Sequence, residues 1–250
     1  MSHATASTGR TRTPTGREVF VKALDQHEAE VEARGLALMA AAGVRVPEVV
    51  DVRHGALVLA WLERGPARWE EAGRMLAALH AVTAERHGLD HDNFMGRVPQ
   101  DNRPASDATF ATFFRERRLE PLAHLLPAPL RRRLDALPLE DVLAEPDRPR
   151  LVHGDLWSGN LVHAADGPTF IDPSVWFGHP EVDLAMTRLF GGFPPAFEAA
   201  WREALGPAAG SLGDLDRRID LLQLYPLLIH VRLFGGGYLA DVEDRLDRLR

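Results

Sequence analysis

Three polar side chains lie close together in the sequence and suit one kind of chemistry. Asp155 and Asn160 belong to the run HGDLWSGN (residues 153–160), and Asp172 follows within the run IDP (residues 171–173). Mg²⁺ prefers oxygen ligands and is usually held by one or two protein groups together with substrate phosphates. The three residues therefore predict a phosphotransferase site, with Asp155 as the base and Asn160 and Asp172 as metal ligands. The alternative is that both carboxylates only cap turns.

The positive charge that such a site needs on the phosphates has one candidate. Lys22 is the only lysine among 29 basic residues, and all the others are arginine. In such a chain a position that stays lysine suggests a need for a compact charge on a slim stem, although chance survival is the alternative. The three residues before the lysine, VFV (19–21), are β-branched or aromatic. Residues 19–22 therefore predict a strand that ends in Lys22.

A carboxylate that orients Lys22 is expected on the helix predicted over residues 25–42. Glu28, Glu30 and Glu32 all lie on this helix. Glu28 and Glu32 share one face because they are four residues apart, whereas Glu30 points elsewhere. We predict Glu32 as the partner of Lys22.

The elements that must position these residues change in kind along the chain. The first part predicts three strands, at residues 19–22, 46–52 and 56–62, around the helix at 25–42. The remainder is predicted to be mainly helical, at residues 68–83, 109–125, 180–190, 195–204 and 215–249, the last range being a pair of helices broken at GGG (235–237). Short strands are predicted within it at residues 150–153, 161–163 and 169–171. The pattern therefore indicates a small β-rich lobe followed by a larger helical one.

Composition restricts the class of protein. With 250 residues, of which 45% are hydrophobic, the chain can bury a substantial core. The absence of cysteine excludes disulfides, zinc–thiolate sites and thiol nucleophiles. A net charge of −7 disfavours nucleic acid as a partner. No apolar run could span a bilayer and no signal core begins the chain, so we expect a soluble, cytoplasmic protein without a membrane partner.

The chain from about residue 18 onwards resembles the fructosamine kinase (ketosamine 3-kinase) family, part of the kinase-like superfamily of aminoglycoside and choline phosphotransferases. The runs HGD and ID alone indicate the superfamily. The narrower resemblance rests on the Trp157-Ser158 variant of the loop, on IDP (171–173), and on the runs DNFMG (92–96), GHPEVDLAM (178–186), FGGF (190–193) and YPLL (225–228).

This resemblance implies an α+β, protein-kinase-like fold of two lobes. A nucleotide-binding lobe would comprise residues 1–62 and a catalytic and substrate lobe residues 63–250, with ATP between them. Lys22, paired with Glu32, would hold the α- and β-phosphates. The adenine would lie against a hinge whose residues are Ala60, Trp61 and Leu62.

The resemblance also implies the reaction. Asp155 would accept the proton of a sugar 3-hydroxyl, and Asn160 and Asp172 would hold Mg²⁺. The product would be a ketosamine 3-phosphate, which destabilises the sugar–amine linkage and so promotes deglycation of small amines or protein lysines. Candidate substrate contacts are Trp157, His230 and Arg118. His153 is expected to brace the catalytic loop.

Two other functions stay open on the sequence. One is phosphorylation of a different small molecule, such as an aminoglycoside, choline or another amino alcohol. The other is a pseudokinase that binds a partner without catalysis.

The chain departs from the family pattern in two places. Only 21 residues precede Lys22, and they contain no GxGxxG run, so either Ser7-Thr8-Gly9 is a shortened nucleotide loop or the true start lies further upstream. Ile229 precedes His230 at a position where the family pattern has a polar Asn, and this puts the expected sugar contacts in doubt.

Overall fold

The first part of the molecule is a four-stranded antiparallel sheet with one helix beside it. A computed structural model describes residues 8–53, 55–103 and 109–250 of the chain. Across the sheet the strands have the order β1-β2-β4-β3, and their bounds are β1 (Gly9–Arg12), β2 (Glu18–Ala23), β3 (Val49–Arg53) and β4 (Ala56–Ala60). Strands β2 to β4 confirm the three strands predicted for this part of the chain.

Strand β1 was not predicted by the sequence patterns. Its residues, GRTR, include no apolar side chain, so no alternation of hydrophobic and polar residues marks the strand. Its position comes instead from pairing with β2, with Gly9 opposite Val21. Of the two alternatives for the short N-terminus, a shortened nucleotide loop at Ser7-Thr8-Gly9 does not fit Gly9, because Gly9 begins a strand. Ser7 lies outside the described residues.

Helix α1 (Gln26–Ala41) begins with a reciprocal cap. The Asp25 carboxylate accepts the backbone N–H of Glu28 at 2.7 Å, and the Glu28 carboxylate accepts the backbone N–H of Asp25 at 3.1 Å. The Glu28 carboxylate is therefore engaged in this cap at the N-terminal end of the helix. Glu32, one turn further on, is therefore free to face the sheet.

The rest of the chain is mainly helical. Its helices are α2 (Trp69–His80), α3 (Phe110–Phe114), α4 (Glu120–Ala123), α5 (Ala128–Asp135), α6 (Leu139–Val142), α7 (Glu181–Leu189), α8 (Pro195–Leu205), α9 (Leu215–Phe234) and α10 (Leu239–Arg248). Helix α8 lies against α2, and α7 lies against α9. Gly73 permits the first contact, because a Cβ there would lie 2.2 Å from the Phe197 carbonyl oxygen. Among the described residues no helix is long and apolar enough to cross a membrane.

Six short strands form three two-stranded ribbons within this helical part. They are β5 (Asn93–Met95) with β6 (Val98–Gln100), β7 (Arg150–Val152) with β10 (Trp176–Gly178), and β8 (Leu161–Ala164) with β9 (Gly167–Phe170). The predicted strands at 150–153, 161–163 and 169–171 correspond to β7, β8 and β9. The lobe boundary at residues 62 and 63 stays a prediction.

The helix predicted at residues 109–125 is wrong as a single helix. A wider π-helical turn, Arg115–Leu119, interrupts it between α3 and α4. Pro121 gives the physical reason, because proline clashes with the carbonyl four residues earlier, here that of Arg117. The Arg117 carbonyl instead accepts a hydrogen bond from the Arg118 guanidinium at 3.1 Å. The predicted break in the C-terminal helical pair is confirmed, with Gly235 at φ +83° after α9.

Candidate active site

The only lysine contacts two carboxylates that come from different parts of the fold. Strand β2 carries Lys22, helix α1 carries Glu32, and Asp172 follows β9. The Lys22 Nζ donates to both carboxylate oxygens of Glu32 at 2.6 Å and to Oδ1 of Asp172 at 3.1 Å. Burial lowers the pKa of Lys22, but the two carboxylates outweigh it, and the pKa lies above its usual value. The ammonium is therefore fixed in place and fully charged.

The loop after β7 places Asp155 and Asn160 beside each other. The Asn160 Nδ2 donates to the backbone carbonyl of Asp155 at 2.8 Å and to its Oδ2 at 3.2 Å. Burial raises the pKa of Asp155 to about 7, and the carboxylates of Asp172 and Asp183 add to the effect, against the Asn160 hydrogen bond and the charge of Lys22. A carboxylate with this pKa can accept a proton near neutral pH.

The backbone before Asp155 is held by the buried carboxylate of Asp183 on α7. This carboxylate accepts hydrogen bonds from the backbone N–H groups of His153 at 2.7 Å and Gly154 at 2.8 Å. A third hydrogen bond, of 3.0 Å, joins it to Nε2 of His80. The Trp201 indole donates to Nδ1 of His80 at 2.9 Å, and since indole N–H is only a donor, the His80 proton lies on Nε2. The Asp183 carboxylate therefore accepts three hydrogen bonds, two of them from the backbone that precedes Asp155.

His153 acts as a brace for the same loop. Its Nε2–H donates to the Ile171 carbonyl at 3.0 Å, and its Nδ1 accepts the backbone N–H of Asp155 at 3.3 Å. The ring is completely buried, and burial lowers its pKa, so the imidazole is neutral. These two hydrogen bonds fix Asp155 relative to the residue that precedes Asp172.

Asp172 itself has a left-handed backbone, with φ 54°. Such a conformation is uncommon for residues other than glycine and is concentrated at functional sites. The following Pro173 lies against α1, where a Cβ on Gly35 would be 3.3 Å from the proline ring. Glycine at position 35 thus allows the loop that carries Asp172 to approach the helix that carries Glu32.

Three cavities meet at these residues. The hinge cavity is lined by Phe20, Leu59, Ala60, Trp61, Leu62 and Ile171, among others. The central cavity is lined by Glu32, Asn160 and Ser174, among others. The aromatic cavity is lined by Trp157, Phe190, His230, Phe234 and Tyr238, among others.

Shared residues join the three cavities into one path. Lys22 and Asp172 line both the hinge cavity and the central cavity. Asp155 and Trp157 line both the central cavity and the aromatic cavity. This path leads from Lys22 and Asp172 to the carboxylate of Asp155 and on into the aromatic cavity.

The family model described as fructosamine kinase matches residues 6–250 of the chain. The protein belongs to the fructosamine kinase family. A "probable ketoamine kinase" of Thermus thermophilus is 43% identical over 212 residues, covering 84% of this chain and 78% of the relative. Another, from Synechocystis, is 41% identical over 236 residues, covering 87% and 77%. Both relatives are named as kinases of ketoamines.

Solved structures agree with this membership. A crystal structure from Thermobifida fusca that is assigned as a fructosamine-3-kinase has a TM-score of 0.85 at 31% identity, covering 98% of this chain and 93% of the other. The choline kinase of Streptococcus pneumoniae, at 16% identity and a TM-score of 0.60, shares the fold. The predicted α+β, kinase-like fold of two lobes is confirmed. As a member of a kinase family, the protein is an ATP-dependent phosphotransferase.

Most residues predicted for the fructosamine kinase site come together. Lys22 and Glu32 pair as expected, and Asp155, Asn160 and Asp172 lie beside them. The predicted hinge residues all line the hinge cavity, and Trp157 and His230 both line the aromatic cavity. The ring of Trp157 lies over Gly159, where a Cβ would be 2.2 Å from it.

Arg118 is the exception, and its prediction as a substrate contact is wrong. Its side chain is completely buried and lines none of the three cavities. The guanidinium donates to the Asp101 carbonyl at 2.7 Å and to Oδ1 of Asn102 at 2.6 Å, and it lies 4.3 Å from the centre of the Trp176 ring. Burial lowers its pKa to about 10, so it remains charged at neutral pH. The π-helical turn directs this side chain into the interior.

Asp183, His80 and Trp201 hold the catalytic loop in place but were not predicted from the sequence. Asp183 lies in the run VDLAM (182–186), where an acid in an otherwise apolar stretch of helix signals a buried partner. His80 is 103 positions from Asp183 and carries no comparable signal. Their hydrogen bond joins α2 to α7, two helices that are far apart in the sequence.

The donor set of the site fits Mg²⁺. Because Nδ2 of Asn160 donates to Asp155, its Oδ1 is the atom left to coordinate a metal. Oδ1 of Asp172 accepts the hydrogen bond from Lys22, and the second carboxylate oxygen is left to coordinate a metal. Among the described residues no group of three or more His, Cys, Asp and Glu side chains could hold a metal. One amide and one carboxylate are the sparse set expected where substrate phosphates complete the coordination.

Proposed function

We propose that the protein transfers the γ-phosphate of ATP to O3 of ketosamines such as fructosamine, ribulosamine or erythrulosamine. The observation that carries this proposal is the position of Asp155. Its carboxylate, with a pKa of about 7, lies where the central cavity and the aromatic cavity meet. One side of this carboxylate faces the lysine and Asp172, and the other faces a cavity large enough for an acceptor.

The hinge cavity supports binding of the adenine. The backbone N–H of Ala60 donates to the Glu48 carbonyl at 2.9 Å, and that of Trp61 donates to the Glu18 carbonyl at 3.3 Å. Leu62 has no such bond within the described part of the chain. Its N–H is therefore available to a purine, between apolar walls that include Phe20 and Ile171.

The phosphates would lie in the central cavity. Lys22 is held there by Glu32 and would contact the α- and β-phosphates. Asn160 and Asp172 would hold Mg²⁺, which supplies charge neutralisation on the phosphate oxygens when bound. Arrival of the phosphates would give the Lys22 ammonium new acceptors in addition to its two carboxylates.

Asp155 would bind and deprotonate the acceptor hydroxyl. The proton passes from O3 to the carboxylate as that oxygen attacks the γ-phosphorus, and ADP leaves. The hydrogen bond from Asn160 orients the carboxylate, and the backbone bonds to Asp183 prevent the loop from moving away. The resulting 3-phosphate destabilises the sugar–amine linkage, so the reaction promotes deglycation of the amine.

The test is an ADP-release assay with Mg·ATP across a panel of acceptors. The panel contains fructosamine, ribulosamine and erythrulosamine derivatives, an aminoglycoside, choline and ethanolamine. We expect turnover with ketosamines, and ³¹P NMR of the product identifies the phosphorylated oxygen. Faster turnover of an aminoglycoside or choline would replace the proposal by the related small-molecule kinase, and Mg·ATP binding without turnover would indicate a pseudokinase.

A variant of the base accompanies the panel. Asp155→Ala is expected to lower kcat by about 10²–10⁴-fold, the range over which general base catalysis contributes. Nucleotide binding, measured by calorimetry, is expected to persist because Asp155 does not line the hinge cavity. Wild-type turnover in this variant would remove Asp155 from the role of base.

A further inference from the structure

Large apolar side chains are exposed mainly at one place on the molecule. Five such residues are exposed within the described ranges: Trp157 (41%), Phe190 (43%), Leu212 (69%), Leu233 (37%) and Phe234 (66%). All of them except Leu212 line the aromatic cavity beside Asp155. A concentrated group of exposed apolar side chains usually marks a binding surface, whereas scattered ones need no explanation.

The aromatic residues of this cavity surround one histidine. The His230 ring centre lies 4.9 Å from that of Phe190, 5.4 Å from that of Phe234 and 4.9 Å from that of Tyr238. The deeper wall is formed by buried Met95, Met186 and Ile229. The cavity measures about 510 Å³, within the range typical of small-molecule sites.

The polar groups of the cavity disfavour anions. Among the described residues that line it there is neither lysine nor arginine, and the one carboxylate is that of Asp155. His230 has its Nδ1 2.7 Å from the Pro226 carbonyl, an acceptor, so Nδ1 carries a proton. A carboxylate placed here would lose hydration, find no lysine or arginine among the described lining residues, and approach the carboxylate of Asp155.

The aromatic cavity also lies where the amine substituent of the acceptor sugar would be placed. Asp155 and Trp157 line both the central cavity, where the phosphate would be transferred, and the aromatic cavity. When a sugar hydroxyl lies at Asp155, the amine substituent at the other end of the ketosamine can extend between Phe190 and Phe234. A long apolar wall there adds affinity only if that substituent is itself apolar.

We propose that the aromatic cavity selects ketosamines whose amine carries an apolar or aromatic substituent and no carboxylate near the nitrogen. This inference rests on the proposed function and names its substrate class. Glycated free amino acids would be poor substrates, because their carboxylate would enter a cavity that has neither lysine nor arginine among its described lining residues. Glycated aralkyl amines would be good ones.

Three fructosamines with the same sugar test this selection. They are made from phenethylamine, from methylamine, and from phenylalanine, which is phenethylamine with an added carboxylate. We expect kcat/KM for the phenethylamine derivative to exceed that for the methylamine derivative by about 10-fold or more. Partial removal of one aromatic ring from water provides a gain in binding of this size. The phenylalanine derivative is expected to be at least about 10-fold poorer than the phenethylamine derivative because its carboxylate is left unpaired.

A variant then assigns the preference to the cavity. Phe234→Ala removes an exposed ring, so folding should be unaffected, and the phenethylamine-to-methylamine ratio of kcat/KM is expected to fall to about 3 or less as buried apolar area is lost. Leu212→Ala removes an equally exposed apolar side chain away from the cavity and should leave the ratio unchanged. The ratio is insensitive to a general loss of activity.

The outcomes separate the two proposals. Equal kcat/KM for all three derivatives, or a preference for the phenylalanine derivative, overturns the selection while leaving the ketosamine kinase intact. A glycated protein turned over far better than the phenethylamine derivative also overturns it. No turnover with any ketosamine removes the proposed function and this inference with it.

Discussion

The ammonium of Lys22 lies 3.1 Å from Oδ1 of Asp172, although 150 positions separate the two residues in the chain. The same ammonium lies 2.6 Å from both oxygens of Glu32. The contact joins strand β2 to the loop after β9, so the lysine links the sheet to the residue predicted to hold the metal. A compact ammonium can fill this space between two carboxylates, and a planar guanidinium cannot do so without moving them.

Exchange of this lysine for arginine tests whether shape or charge matters. Lys22→Arg keeps the positive charge but replaces a compact donor by a broad fork. We expect kcat/KM for ATP to fall by about 10–100-fold, close to the loss in Lys22→Met, because misplacing a positioning group by about 1 Å has effects of this size. Steady-state kinetics with varied ATP measures it.

The matched control uses the opposite exchange at an exposed position. Arg131→Lys lies on α5, away from the cleft, and should leave kcat/KM unchanged. If Lys22→Arg retained wild-type efficiency, a general positive charge would suffice, and the single lysine of this arginine-rich chain would have survived by chance.

Asp155 predicts a pH dependence of stability in the absence of metal. Its pKa is about 7 in the folded protein, against 3.8 for an aspartate side chain in water. The folded state therefore binds the proton more tightly, and stability is lost as pH rises from about 4 to about 7. By linkage the loss at pH 8 is up to about 4 kcal/mol. Asp155→Asn removes this loss, so we expect its stability relative to wild type to increase with pH.

Urea denaturation at pH 4.5 and pH 8, with a chelator present, measures this difference. The advantage of Asp155→Asn should appear at pH 8 and be small at pH 4.5. Adding Mg²⁺ and ADP should reduce the advantage, because bound cations favour the ionised carboxylate. An advantage that is equal at the two pH values would show that the folded-state pKa of Asp155 is not raised.

The fold could be predicted from the sequence where side-chain patterns mark the elements. Strand β2 and helix α1 both have such patterns, and Asp25 supplies a cap that the structure uses. Strand β1 could not be predicted, because its four residues are held by pairing with β2 and not by burial of their own side chains. The break of the helix at 109–125 follows from Pro121, a signal that the apolar periodicity around it masked.

The site could be predicted where one short segment or one unusual residue carries the chemistry. Asp155, Asn160 and Asp172 lie within 18 residues, and Lys22 is unique in the chain. The contact between Asp183 and His80 joins two helices far apart in sequence, so no local pattern reveals it. Arg118 was wrongly placed because a periodic pattern does not show which side chain a π-helical turn sends inward.

Gly154 is expected to tolerate no side chain. Its φ is +81°, and a Cβ would lie 2.2 Å from the carbonyl oxygen of Ser174. Gly154→Ala combines the cost of a left-handed backbone, about 1–2 kcal/mol, with that of overpacking, about 1–3 kcal/mol. We expect a loss of about 2–5 kcal/mol in the free energy of unfolding, together with loss of activity, because the adjacent Asp155 moves.

Gly43→Ala provides the control for backbone strain alone. Gly43 has φ +75° and nothing within 4 Å of the position that a Cβ would occupy. Its replacement should cost only about 1–2 kcal/mol and leave kcat unchanged. Equal losses in the two variants would mean that the loop at Gly154 adjusts without strain against Ser174.

Replacement of Arg118 separates a role in substrate binding from a role in the interior. Arg118→Met leaves the Asp101 carbonyl and Oδ1 of Asn102 without their donor, and a buried unsatisfied group costs about 1–3 kcal/mol. The removed guanidinium no longer has to be desolvated, so we expect a net loss of about 2–4 kcal/mol in the free energy of unfolding. The KM for the ketosamine should not change, because Arg118 lines none of the cavities.

Urea denaturation and steady-state kinetics on the same sample make the distinction, and the neighbouring Arg117 is the matched control. Arg117 pairs with the Asp101 carboxylate at 3.2 Å while remaining partly exposed. Arg117→Met should therefore cost only about 1 kcal/mol or less. An Arg118→Met variant with normal stability and a raised KM for anionic acceptors would restore the substrate contact predicted from the sequence. Its buried side chain, fixed by three aromatic rings and two carbonyl acceptors, favours the opposite result.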